Sequence, residues 1–196
     1  MKLKIQLAER NKFDAEKLAK TFAVLGEEIE RLDNIVKKLL DASRPTKLNL
    51  SKIRINDLLE TRLAMSAEKA ESQRVEIKFE ANDKTIEIEA DGEKLTQVFD
   101  NLFNNALEAM PDGGVLRVKP STKNDKFIVE IADTGKGVSE AEKSKLFELF
   151  YTTKDKGTGL GLAISLEITE AHGGKLYFSE SATGAVFIVE LPLVKR

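Results

Sequence analysis

The chain contains no cysteine and a single histidine, His172, among its 196 residues. Without cysteine there are no disulfides and no thiolate zinc sites, and the composition fits a reducing compartment. One histidine excludes a histidine-based metal cluster and leaves a Ser-His-Asp triad no choice of base. No apolar run approaches the roughly 20 residues of a membrane-spanning helix. The opening MKLKIQLAERNKFD carries charges throughout and lacks the apolar core of a signal peptide. A net charge of −2 provides no electrostatic footprint for nucleic acid or for an anionic membrane surface. The expectation is a soluble, cytoplasmic chain, or the soluble part of a larger protein, with no nucleic-acid partner and no direct membrane contact.

What is present begins with a heptad seam. Leu18, Phe22, Leu25, Ile29, Leu32, Val36 and Leu39 alternate spacings of three and four, flanked by Glu, Lys and Arg. One helix cannot bury so narrow a seam alone, so the pattern predicts a long coiled-coil-like helix and a homodimer. The other reading is a helix lying on the chain's own globular part. Gly26 interrupts the seam at a cost of about 1 kcal/mol relative to Ala; it marks a turn or is carried within one continuous helix, and we favour the latter. DASRP at 41–45 ends the helix, because a residue preceding proline avoids helical angles. The boundary expected there separates residues 1–45 from residues 46–196.

The second part alternates short strand and helix signals. An extended piece at 47–50 leads into a helix at 51–74 with Ile55, Leu58, Leu59, Leu63 and Ala67 as its buried stripe. Alternation predicts strands at 75–79, 85–89, 115–119, 127–132, 175–179 and 185–191. Helices are expected at 95–110, 140–150 and 160–171, the first capped by Asp91. Several hairpins with a few helices describe an α+β fold, a two-layer sandwich of one mixed sheet and helices on one face.

Four stretches carry chemistry. In LTQVFDNLFNNALEAM, Val98, Leu102, Phe103 and Leu107 form an apolar face, while Asn101 and Asn105, four apart, stack on one side with Asn104 between them. These amides face a polar ligand or are simply solvated. Asp133 ends a strand ahead of Gly135 and Gly137, which allow backbone to approach a ligand that the carboxylate holds; the alternative is an Asp-Gly turn. GTGLGL at 157–162 opens a helix, as backbone amides turned toward phosphate require; the alternative is an unliganded loop. FELFYTTK at 147–154 joins them, with Phe147, Phe150 and Tyr151 as core or as packing for that loop, and Lys154 at its edge.

In this order the stretches closely resemble the ATP-binding domain of sensor histidine kinases, within the wider gyrase, Hsp90 and MutL ATPase superfamily. The likeness covers about residues 47–194, with an N box (NLFNNA), G1 box (DTGKG), F box (LFELFYTTK) and G2 box (GTGLGL). HGGKLYFSES and the terminal FIVELP also match, and ALEAMPDGG looks most like the nitrogen-sensor and sporulation-kinase branch. The resemblance implies a Bergerat-type fold and a site for ATP or ADP with Mg²⁺. Asn105 is then the metal ligand and Asn101 supports the phosphate end, with Lys154 completing the catalytic set and Glu108 and Ala109 continuing the wall. Asp133 accepts the adenine amino group, Gly135, Gly137 and Val138 line the base, and Thr183 lies near it. Thr152 and Thr153 flank the phosphates. Gly157, Thr158, Gly159, Leu160, Gly161 and Leu162 wrap the triphosphate, and His172 is structural.

The chain also departs from that family. Many of its kinases carry Lys where this chain has Glu108. No histidine precedes residue 172, although EEIERLDNIVKKLLDASRP looks like the second helix of the family's dimerisation hairpin. Residues 1–26 do not look like the first helix, which implies a truncated or rebuilt kinase. The acceptor histidine would lie on a separate His-bearing dimerisation domain, with a response regulator downstream. Two other functions compete: a gyrase- or MutL-like ATPase, which has a glutamate base where this chain has Asn101, and a dimeric regulator that binds nucleotide without catalysis.

Overall fold

The computed structural model describes Lys20, Ile29 and residues 22–26, 47–81, 86–154 and 157–193. The chain divides into two units, Met1–Arg44 and Pro45–Arg196. In the first, the described residues are helical, Gly26 included, and Phe22, Leu25 and Ile29 are exposed. The remainder of the heptad seam and its end at DASRP lie outside the described residues.

The second unit runs β1 (Ser51–Arg54), α1 (Ile55–Ser72), β2 (Val75–Phe79), β3 (Glu87–Ala90), α2 (Gly92–Glu108), β4 (Gly114–Lys123), β5 (Lys126–Asp133), α3 (Glu140–Lys143), α4 (Gly161–Ala171), β6 (Lys175–Ser179) and β7 (Val186–Pro192). Five strands form a mixed sheet in the order β2-β4-β5-β7-β6, with β2 and β4 parallel and the other neighbours antiparallel. Alternation along the strands sends Leu116, Val118, Phe127, Val129, Ile131, Val189 and Leu191 inward and leaves Arg117, Lys119 and Glu130 exposed. Helices α1, α2 and α4 cover the inward face, so the expected α+β two-layer sandwich is the architecture observed.

Helix α2 lies at the centre. Asp91 caps it, its carboxylate accepting from the Lys94 amide at 3.1 Å. Leu95, Val98, Phe99, Leu102, Phe103, Ala106 and Leu107 are all buried, and the Phe99 and Phe103 rings stack at 6.2 Å. From outside, Arg62 of α1 grips Asp100 through Nε and Nη2, each 2.7 Å from a carboxylate oxygen. Such a bidentate pair fixes rotation about the helix axis as well as position.

Local structure departs from the sequence reading at several places. Residues 51–54 are a strand rather than the start of α1, because β1 pairs antiparallel with β3 and that pairing outweighs the helical stripe. The stripe ends at Ala70, and Ala67 is exposed. At about 100° per residue Ala67 lies about 120° round from Ile55, whereas Ala70 lies about 60° away. The expected helix at 140–150 is one turn, Glu140–Lys143, started by a Ser139/Glu142 capping box but with no buried side chain to extend it. The hairpin turn between β4 and β5 shrinks to Asn124 and Asp125, both with positive φ (52° and 58°), so β4 continues to Lys123. A two-residue loop with left-handed angles matches the strands' twist, whereas the broad polar run in the sequence pointed to a longer turn.

Asp91 ties α2 to the start of the unit as well, since its Oδ2 accepts from the Asn49 amide at 2.9 Å. Burial works against its charge, yet the Asn49, Lys94 and Glu93 amides outweigh it and hold the carboxyl below its usual range. Asp91→Ala is expected to cost about 1–2 kcal/mol in urea denaturation at pH 7. The difference should shrink as pH falls through the lowered pKa, because this stabilisation exists only while the carboxylate is charged. Equal stability of the two proteins at pH 7 would count against the assignment.

Candidate functional site

Asn101 and Asn105 stand on the flank of α2, half-buried beside its buried face. The Asn101 Nδ2 donates to Ser165 Oγ of α4 at 3.0 Å. Opposite it, Gly161 has no room for a Cβ, which would overlap the Asn101 amide. The asparagine therefore meets the backbone that starts α4. Asn104, one residue from Asn105 and so about 100° round the helix, points away and accepts from Lys69 Nζ at 3.0 Å on the exposed side. The three asparagines divide, and only two belong to this wall.

Helix α4 begins without a side-chain cap. The residue before it, Leu160, is fully buried, which holds this end in place. Its first-turn amides lack partners within the helix, and the dipole adds positive potential there. The preceding loop folds onto the phenylalanine-rich segment. Phe150 donates its amide to the Gly159 carbonyl at 3.0 Å, and Gly157 donates to the Lys154 carbonyl at 3.1 Å. Gly159 has φ of 66° and presses against the Phe150 backbone, so both its angles and its space require glycine. The aromatic residues are not core: Phe147 and Tyr151 are half-buried, and Phe150 is 58% exposed with φ of 67°. Thr152 Oγ1 accepts from the Lys154 amide at 3.1 Å, and Thr153 is exposed. Thr158 and Leu162 are half-buried, and Thr158 Oγ1 lies 3.5 Å from the Leu160 amide nitrogen.

This arrangement carries Lys154 to α2. Its Nζ donates to Asn105 Oδ1 at 2.8 Å and to Glu108 Oε2 at 2.5 Å. Glu108 also lies 3.9 Å from Lys69 Nζ. A cation thus rests on the Asn105 amide oxygen.

A second cluster forms at the C-terminal end of α2, next to Glu108. Asp133 is 5% exposed, and its Oδ1 accepts from the Gly135 amide at 2.8 Å and the Ala185 amide at 3.2 Å. Burial pushes its carboxyl above the ordinary range, and the two amides pull the other way. Gly184 packs against the Asp133 backbone, and Gly137, with φ of 71°, faces Gly184. Gly135 abuts the carbonyl of Ala109, the residue ending α2, and Lys136 donates its amide to that carbonyl at 3.3 Å. Val138 is half-buried beside this cluster in sequence. Thr183 is exposed at the hairpin tip and bonds only with Ser181 among the described residues, so Gly184 and Ala185 make the contacts instead.

Asn101 and Ala109 are eight positions apart, about 12 Å along the axis. One helix therefore joins a cluster of amides and a cation to a cluster built on a buried carboxylate. Sequence reasoning missed Ser165, whose only signal was a small polar residue four positions after Gly161 on a largely apolar helix. The sequence places Ala185 only in the terminal hairpin Thr183-Gly184-Ala185; it acts through its backbone, and residue type carries no trace of that.

A mixed sheet covered by helices, with glycine loops meeting the middle and the C-terminal end of an asparagine-bearing helix, defines a class of nucleotide-associated domain. The family model for histidine kinase-, DNA gyrase B- and HSP90-like ATPases matches residues 90–195, and the chain belongs to that family. It is 36% identical over 171 residues to the sensor histidine kinase ZraS of Escherichia coli (strain K12), covering 87% of this chain and 37% of ZraS. The chain thus spans about two-fifths of the curated relatives it matches. Among solved structures, the catalytic domain of histidine kinase ThkA superposes with a TM-score of 0.70 at 32% identity, covering 74% of this chain and 95% of that one. ThkA in complex with response regulator TrrA gives a TM-score of 0.79 at 30% identity, over 98% of this chain and 57% of that one. Full-length ShkA in complex with AMPPNP gives 0.80 at 25% identity, over 91% and 39%.

Asp133→Asn keeps an acceptor oxygen for both amides and removes the ionisable group. A raised carboxyl pKa means that stability is lost as pH rises from the ordinary value through the raised one. The variant is therefore expected to melt higher than the parent at pH 7, with the gap closing below about pH 4. A lower midpoint at pH 7 would show that the carboxylate supports the fold.

Proposed function

We propose that residues 46–196 are the ATP-binding catalytic domain of a sensor histidine kinase, which presents the γ-phosphoryl of ATP to a histidine. The observation that carries this reading is the Lys154 ammonium on Asn105 Oδ1, on the helix whose Asn101 meets the uncapped start of α4. Oxygen that already holds a cation lies on the same wall as amides suited to anions, the donor set a metal–phosphate ligand requires. Mg²⁺ held by Asn105 would neutralise charge on the phosphates. Asn101 supports the phosphate end, and the amides following Gly157, Gly159 and Gly161 cradle it, contributing electrostatic stabilisation and positioning. Asp133 accepts from the adenine amino group through the oxygen its backbone amides leave open, while Gly135 and Gly137 let the base approach.

Asn101 cannot act as a general base. That favours phosphoryl transfer over the water activation of a gyrase- or MutL-like ATPase. His172 accepts from the Asp91 amide at 3.0 Å and its Nδ1 lies 2.8 Å from the Ile168 carbonyl oxygen, so both ring nitrogens are engaged and the acceptor is another histidine. This also supports the second reading, a nucleotide-binding regulator without catalysis. The exposed Phe22, Leu25 and Ile29 favour pairing through residues 1–45 as a homodimer. We further propose a His-bearing dimerisation domain and a response regulator as partners, acting in the cytoplasm. Among the described residues no helix is long and apolar enough to cross a membrane.

Incubation with γ-labelled ATP and Mg²⁺ tests the proposal. The chain is expected to bind nucleotide and to acquire no acid-labile label, while an added His-bearing dimerisation domain becomes labelled. Binding without transfer would favour the regulator. Asp133→Asn should weaken binding by about 10- to 100-fold, about 1.4–2.7 kcal/mol, with the fold retained; unchanged affinity would refute the adenine assignment.

A further inference from the structure

Lys154 and Glu108 stand out as a charged pair at the proposed metal ligand. Asn105 and Glu108, three residues apart, are neighbours on one face of α2. An amide oxygen and a carboxylate so placed are hard donors of the kind a divalent cation takes. Here both are held by a single ammonium, 2.8 Å from one and 2.5 Å from the other. Lys69 of α1, 3.9 Å from Glu108 Oε1, steadies the carboxylate from the other side and also holds Asn104. The Lys154 side chain is 37% exposed, so it can leave without opening the core.

We propose that Lys154 is a stand-in cation. Its ammonium and the divalent metal take turns on Asn105 Oδ1, and Glu108 is the positioning residue that keeps the lysine at hand. The inference rests on the reading of Asn105 as the metal ligand. Two cations cannot share one amide oxygen at these distances, because their repulsion in a partly buried setting exceeds what one neutral acceptor returns. Metal arriving at Asn105 therefore displaces Lys154, freeing a positive charge beside the phosphate end of the site. Without metal, the same ammonium neutralises Glu108 and keeps the Asn105 oxygen oriented. The positive charge here thus comes from the FYTTK segment, and α2 supplies its counter-ion.

The test is Mn²⁺ titration of the nucleotide-free full chain, read from the electron paramagnetic resonance signal of free Mn²⁺. Removing the competing ammonium with Lys154→Met is expected to tighten Mn²⁺ binding by about three- to fivefold, the scale of a partly exposed ion pair. Lys154→Arg keeps the charge and should bind Mn²⁺ as weakly as the parent. Unchanged or weaker binding in Lys154→Met, or equal tightening in Lys154→Arg, would overturn the exchange. Failure of the underlying reading is distinguishable: the parent would then bind no ADP in the presence of Mg²⁺, or Asn105→Ala would retain the parent's Mn²⁺ affinity, and either result removes the inference with it.

Discussion

Seven apolar side chains of α2 are buried along one face, and the two asparagines of the site project from its flank. Turning the helix by one residue, about 100°, would expose Phe99 or Phe103 and carry Asn101 away from Gly161. Burying a phenylalanine stabilises by about 1.5–3 kcal/mol relative to leaving it in water. Several such residues along one face therefore lock the rotation far more firmly than any polar contact could. The Arg62–Asp100 pair and the Asp91 cap act on the same degree of freedom from the outer side and from the end. The two asparagines inherit their placement from the core, since they stand on a helix the core does not allow to turn.

Electrostatics differ between the two clusters along the C-terminal half of that helix. At the Asp133 cluster a carboxylate is buried against the Gly135 and Ala185 amides, and burial weighs against its charge more than the two amides favour it. Around Glu108 the charges are paired and partly exposed, so Lys154, Glu108 and Lys69 can rearrange at little cost.

Glycines connect these clusters to the sheet and to α4. Gly135 meets the end of α2, Gly161 meets Asn101, and Gly184 meets Asp133, each at a distance that excludes a Cβ. The paired glycines of the sequence thus serve close backbone approach as much as conformational freedom. Only Gly137, Gly159 and Gly184 among the loop and hairpin glycines of the site also need positive φ. That distinction is tertiary, because what each glycine would strike is far away in sequence.

Much of the fold was legible along the chain. The 3.6-residue period of α2, the Asp91 cap, the alternation of β2, β5 and β6, and the order of the motifs are local properties, and local periodicity survives folding because it decides which face is buried. Residues 51–54 were misread because their partner strand, β3, lies more than thirty positions away, and a strand's edge pairing is invisible from one strand. The short α3 was overextended because a good capping box starts a helix but cannot sustain one without a face to bury. By itself the sequence determined which residue types stand ready: two asparagines four apart, an aspartate before glycines, and a glycine run before a helix. Only the tertiary structure decided that Asn104 turns to Lys69, that Ala185 and not Thr183 meets Asp133, and that Lys154 rests on Asn105 and Glu108. Hydrogen bonds from backbone amides and pairings between distant charges depend on where segments meet in space, and residue type alone does not encode that meeting.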